Sequence, residues 1–113
     1  MSVTKSAMKG VSVTLQDAGM ATANGLVLAI PSSFRNHIFT IIGSAGVASD
    51  AIQCEDADSF DYSGTWAQIG GGPVTVVAST ALIVTYIGLL KFIRARISTI
   101  VVGGSVTVKY EGS

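Results

Sequence analysis

The sequence predicts an all-β chain: one antiparallel β-sandwich, jelly-roll-like, of about eight strands. Three observations predict it. The first is alternation with a period of two. Ile93, Ala95 and Ile97 alternate with Arg94 and Arg96, and Val106, Val108 and Tyr110 alternate with Thr107 and Lys109. Such segments are apolar on one face and polar on the other, as half-buried strands are. The second is punctuation: Gly43-Ser44-Ala45-Gly46, Gly70-Gly71-Gly72-Pro73 and Gly103-Gly104 break the chain between apolar runs. The third is that no amphipathic pattern of helical period has useful length. Many short strands with Gly-rich turns point to a sandwich or barrel. A smaller immunoglobulin-like sandwich and an open barrel are the alternatives.

In chain order, residues 1–10 are polar and without sustained pattern, and are expected to form an arm ahead of a sandwich domain spanning 11–113. Residues 11–15 alternate and predict a first strand, and residues 16–20 read as a turn. Residues 22–30 predict a second strand, bent at Asn24-Gly25. Pro31 ends it, because proline brings no ladder donor. Residues 37–42, HIFTII, are apolar on both faces and predict a central strand covered from both sides. A strand around residues 51–54 follows, then an acidic, turn-rich loop over 55–64 and a short strand over 65–69 that carries Trp66. Residues 74–77 and 81–86 predict two strands, or one kinked at Ser79. Gly88 leads into residues 91–111, whose two β-type runs around Gly103-Gly104 most simply form an antiparallel hairpin, packed on one side and wet on the other.

The chain of 113 residues suits one domain with one core, and 49% of it is apolar. Only 12% is charged, about half the share usual for a soluble domain, and the seven basic and seven acidic side chains cancel. A solitary molecule of this kind tends to associate. The composition therefore favours a component of an assembly over a freely diffusing enzyme. The early apolar run 26–30 is too short and too far along for a secretory signal. Residues 74–90 are apolar but rich in β-branched side chains and shorter than the roughly 20 residues a spanning helix needs, so buried strand is expected and no membrane partner.

Few residue patterns carry chemistry. Cys54 is the single cysteine, so neither an intrachain disulfide nor a cysteine metal cluster is available, and it reads as a small buried hydrophobe. His37 is the single histidine and opens an apolar strand, which suits a structural or surface role; no Gly-x-Ser-x-Gly elbow accompanies it. Asp56 and Asp58 have the first spacing of a calcium loop. However, the required glycine is missing and Ala67 stands where a bidentate Glu belongs, so no metal and no cofactor is expected. Glu55, Asp56 and Asp58 remain candidates for a protein contact. Lys91, Arg94, Arg96 and Lys109 hold four of the seven basic charges. Arg94 and Arg96 share one strand face and are candidates to meet acids on a neighbouring subunit, where a planar guanidinium fork binds carboxylates well. Lys5 and Lys9 in the arm are further interface candidates. Zero net charge and the lack of an aromatic stripe between the basic residues argue against nucleic acid. Trp66 is expected in the core, with a sugar platform lined by Trp66, Phe60, Tyr62 and Tyr86 as the alternative.

The segment IRARISTIVVGGSVTVKYEGS resembles the C-terminal end of small structural proteins of tailed bacteriophages, through Arg94, Arg96, Gly103, Gly104, Val106 and Val108. The resemblance implies a virion protein, made in the host cytoplasm and assembled onto a capsid surface. It implies in particular a decoration or cement protein that locks neighbouring subunits of the major capsid protein from outside, and not an enzyme. Self-association as a dimer or trimer is the natural expectation on a symmetric shell. The competing expectations are another virion part (head-to-tail connector, tail or fibre subunit) and a carbohydrate-binding module.

Overall fold

The computed structural model describes residues 12–19, 25–47, 51–99 and 101–113. The expected arm over 1–10, with Lys5 and Lys9, lies outside them. The described residues form nine strands: β1 (Ser12–Gly19), β2 (Leu28–Ala29), β3 (Asn36–Gly43), β4 (Ala51–Ala57), β5 (Ala67–Gln68), β6 (Val74–Thr75), β7 (Ala81–Ile87), β8 (Phe92–Thr99) and β9 (Val106–Gly112). No helix is long and apolar enough to cross a membrane among the described residues.

All ladders are antiparallel, and the strands build two sheets, β1-β9-β3-β7 and β2-β8-β4-β5, with β6 also on β4. The pairs β1·β9, β2·β8, β3·β7 and β4·β5 are nested, like one long hairpin wound about itself. That nesting, split over two sheets, is a jelly roll. The expected fold class is therefore found, with one strand more than the count of about eight.

The expected hairpin over 91–111 is not. β8 pairs with β2 and β4, whereas β9 pairs with β1 and β3, so the two lie in opposite sheets. The physical reason is that each run has an apolar face that needs a facing sheet. Ile93, Ala95 and Ile97 of β8 and Val106, Val108 and Tyr110 of β9 are all buried in one core. Their partners there include Phe39 and Ile41 of β3 and Ile52 and Cys54 of β4. Gly46 and Gly103, both at positive φ, meet where the connection between β3 and β4 touches that between β8 and β9; a Cβ on Gly46 would come within 2.8 Å of the Gly103 carbonyl oxygen.

Four further expectations are corrected. Residues 16–19, read as a turn, continue β1 through register shifts at Thr14/Gln16 and Gln16/Gly19, and the buried Gln16 side chain donates from Nε2 to the Ala95 carbonyl (2.9 Å), tying one sheet to the other. The second strand is only Leu28–Ala29 among the described residues. β3 is central, between β9 and β7, but only its inner side is covered; Ile38 on the outer side is 38% exposed. β4 runs on through Glu55, Asp56 and Ala57, which the acidic composition placed in a loop. Ser79, the expected kink, is left-handed with φ 54°.

Candidate functional site

The outer face of the second sheet carries a buried polar cluster. The β4·β8 register sets Glu55 opposite Arg94 and Gln53 opposite Arg96. Directly opposed side chains lie about 5 Å apart at Cβ, so two residues two apart on each strand form a four-membered group. Arg94 Nε donates to Glu55 Oε1 at 2.8 Å, and Arg96 Nη2 donates to Oε2 at 3.3 Å. Gln53 Nε2 donates to the same Oε2. The acid that Arg94 and Arg96 meet is thus Glu55 of their own chain.

A face of this kind is wet in an ordinary sandwich, yet Glu55 is 2% exposed. The cover is the segment between β4 and β5, which folds back over the sheet. Trp66 lays its ring 4.1 Å from the Arg94 guanidinium carbon, a cation–π contact. Its indole N–H donates to the Tyr62 carbonyl at 3.0 Å, which closes the segment on itself. Phe60 packs edge-on against Phe92 at 6.4 Å, and Tyr62 lies 6.5 Å from Trp66. Trp66 is buried, as expected, and its place is that of a lid over this cluster, outside the apolar cluster between the two sheets. Because its faces are covered, Trp66 cannot offer the sugar platform of the alternative reading; Phe60, Tyr62 and Tyr86 are the aromatics of that reading left exposed.

Next to the cluster, Asp56, Ala57, Asp58, Tyr62, Thr65 and Ala67 line an open depression of about 190 Å³. That is below the usual range of small-molecule pockets, roughly 300–1,000 Å³. Asp56 Oδ1 accepts from the Lys91 backbone N–H (2.9 Å), and Asp58 pairs with Lys91 Nζ at 3.5 Å in an exposed position. Among the described residues no three His, Cys, Asp or Glu side chains converge as a metal site.

The other two reactive types sit in the core. His37 is 1% exposed. Its Nε2 lies 2.9 Å from the Gly88 carbonyl, which can only accept, so Nε2 carries the proton; Nδ1 then accepts from the Tyr110 hydroxyl at 2.7 Å. Both ring nitrogens are engaged, so of the structural or surface role expected for His37 the geometry shows the structural one. Burial pushes the Tyr110 phenol up to about 12. Cys54 lies on the inner face of β4; burial, and secondarily the Glu55 charge, push its thiol up to about 12. A thiol held protonated is a poor nucleophile.

The residue pattern alone singles out Glu55, Arg94 and Arg96 but misses Gln53 and Trp66 as their partners. A signal is present: Gln53-x-Glu55 and Arg94-x-Arg96 are complementary period-two pairs on two β segments, as opposed strands require.

The wound pairing and two-sheet core place the chain among jelly-roll β-sandwiches. Its fold is similar to the crystal structure of SPBc2 prophage-derived protein YomS, with a TM-score of 0.60 and 16% sequence identity over 91% of this chain and 92% of that one. No protein-family model and no curated protein matches the sequence.

Proposed function

We propose that the chain is a structural component of a bacteriophage virion, a decoration or cement protein that binds the outside of the head and bridges neighbouring copies of the major capsid protein. The observation that carries this reading is the likeness, over nearly the whole of both chains, to a prophage-derived protein. The low charge and zero net charge support it, since they suit a molecule shielded by other protein. In this role the protein needs no cofactor and no catalytic residue. Cementing works through binding alone. A standard interface buries roughly 1,600 Å², and many copies on one symmetric shell add avidity. In this reading residues 1–10, with Lys5 and Lys9, contribute contacts to the shell. Asp58 and the part of Arg96 left open by Glu55 lie on the surface available to a second subunit.

The test is co-sedimentation with empty capsids of the phage that encodes the chain. Wild-type protein is expected to saturate the shell at a fixed ratio to capsid protein and raise its resistance to heat. Deleting residues 1–10 is expected to weaken attachment and leave the isolated domain folded. Unchanged occupancy after the deletion refutes the arm's role, and failure of the intact chain to bind shells refutes the reading.

A further inference from the structure

Two sandwich sheets have open edges, and an open edge is a template for another strand unless it is blunted. Three routes of protection are visible here. β2, β5 and β6 are two residues long, and β1 is broken by two register shifts and carries Asp17. β7 has none of these. It runs seven residues, Ala81–Ile87, without charge, proline or bulge, in unbroken register with β3. Among the described residues no strand pairs with its other side.

The direction of its free backbone groups follows from two hydrogen bonds at its ends. The Gly43 N–H donates to the Thr80 carbonyl (3.1 Å), and the Gly88 N–H to the Arg35 carbonyl (2.8 Å). In an antiparallel ladder, hydrogen-bonded and non-hydrogen-bonded pairs alternate. Residues 80, 82, 84, 86 and 88 therefore turn their N–H and C=O toward β3. Ala81, Ile83, Thr85 and Ile87 turn theirs outward to the unpaired edge. The side chains of these same four residues face away from the core, and Ile83 and Ile87 are 65% and 81% exposed.

We infer that β7 pairs with β7 of a second copy, antiparallel across a two-fold axis at Val84, which joins two four-stranded sheets into one continuous sheet. This register sets Ala81 against Ile87 and Ile83 against Thr85. All four outward residues then find hydrogen-bonding partners, and inner and outer faces stay matched. Ile83 and Ile87 of one copy lie diagonal to Ile83 of the other, so four isoleucines close into one apolar strip on the outer face. A second copy is the occupant the strand fits best. The strand has no charge to attract an ionic partner, and it is complementary to itself. A seven-residue strand is about 24 Å long, and the interface is then on the order of 1,000 Å², near the lower bound for a specific contact. The dimer is accordingly concentration-dependent.

Self-pairing does not rest on the virion role: shell binding could fail with the dimer intact, and the reverse. The experiment is sedimentation equilibrium of the full chain from about 1 µM to 1 mM, a range that brackets weak interfaces. The mass is expected to rise from 11.6 kDa toward twice that value. Ile83→Lys sets charges against the apolar strip. Thr85→Pro deletes an N–H that points to the free edge and so spares the β3·β7 ladder. Both variants are expected to stay monomeric while keeping the wild-type near-ultraviolet circular dichroism. A wild-type chain that is monomeric throughout, a trimer, or a dimer that survives both substitutions overturns the inference. So does a monomer whose shell binding alone is lost in Ile83→Lys, because the edge would then belong to a capsid strand.

Discussion

Replacing Glu55 with Ala tests whether the polar cluster on the second sheet holds the segment between β4 and β5 in place. The carboxylate is 2% exposed and accepts from Arg94, Arg96 and Gln53. Its removal leaves two guanidinium groups and an amide facing each other without an acceptor. Breaking a buried ion pair from one side costs about 3–5 kcal/mol. The Arg96 side chain is 34% exposed and can turn toward water, whereas that of Arg94, 14% exposed, is held under Trp66. The cost should therefore fall at the low end, about 3 kcal/mol, or roughly 12 °C in Tm for a domain of this size. Arg94→Ala is expected to cost about 2 kcal/mol, because it also strips the cation from Trp66, and Arg96→Ala about 1 kcal/mol. Urea unfolding followed by Trp66 fluorescence reads all three, and Trp66 itself reports opening of the segment. The Glu55→Ala deficit is expected to persist from low to high salt, since screening acts weakly on buried charges. A loss below about 1 kcal/mol for Glu55→Ala, or a larger loss for Arg96→Ala than for Arg94→Ala, refutes the reasoning.

Cys54 is expected to resist thiol reagents at pH 8 in the native protein and to react at once in urea; rapid native labelling would contradict its burial. Alkaline pH should destabilise the fold in two steps. Burial holds the folded pKa of Cys54 and Tyr110 at about 12, against ordinary values of 9.0 and 10.0. The unfolded chain therefore ionises first, and stability that is complete below about pH 9 falls between about pH 9 and 12. Cys54→Ala should delay the onset to about pH 10, where Tyr110 ionises in the unfolded chain, and Tm measured against pH will show it. Tyr110→Phe takes away the hydrogen bond that His37 Nδ1 accepts and is expected to cost about 1–3 kcal/mol; a neutral effect would mean that water or another donor replaces it.

The class of structure and the interior were legible in the order of residues. Period-two alternation selects strands, and glycines mark where they stop. The apolar members of each alternating run (Ile93, Ala95, Ile97, Val106, Val108, Tyr110) became core, since an apolar strand face has no stable place but against another sheet. Cys54 was legible as a buried or half-buried hydrophobe, whereas the residue order left His37 either structural or on the surface, and only the packing of β3 put it inside. Which strand lies beside which was settled by packing at long range. Alternation says that a face is apolar but not which sheet will cover it, and so β8 and β9 read as a hairpin although they face each other across the core. The polar cluster was hidden by the same gap. Glu55 and Arg94 are 39 residues apart, and only the β4·β8 register brings them within 2.8 Å. Burial of that pair then depends on Trp66 folding over the outer face, a long-range packing event that no local pattern encodes.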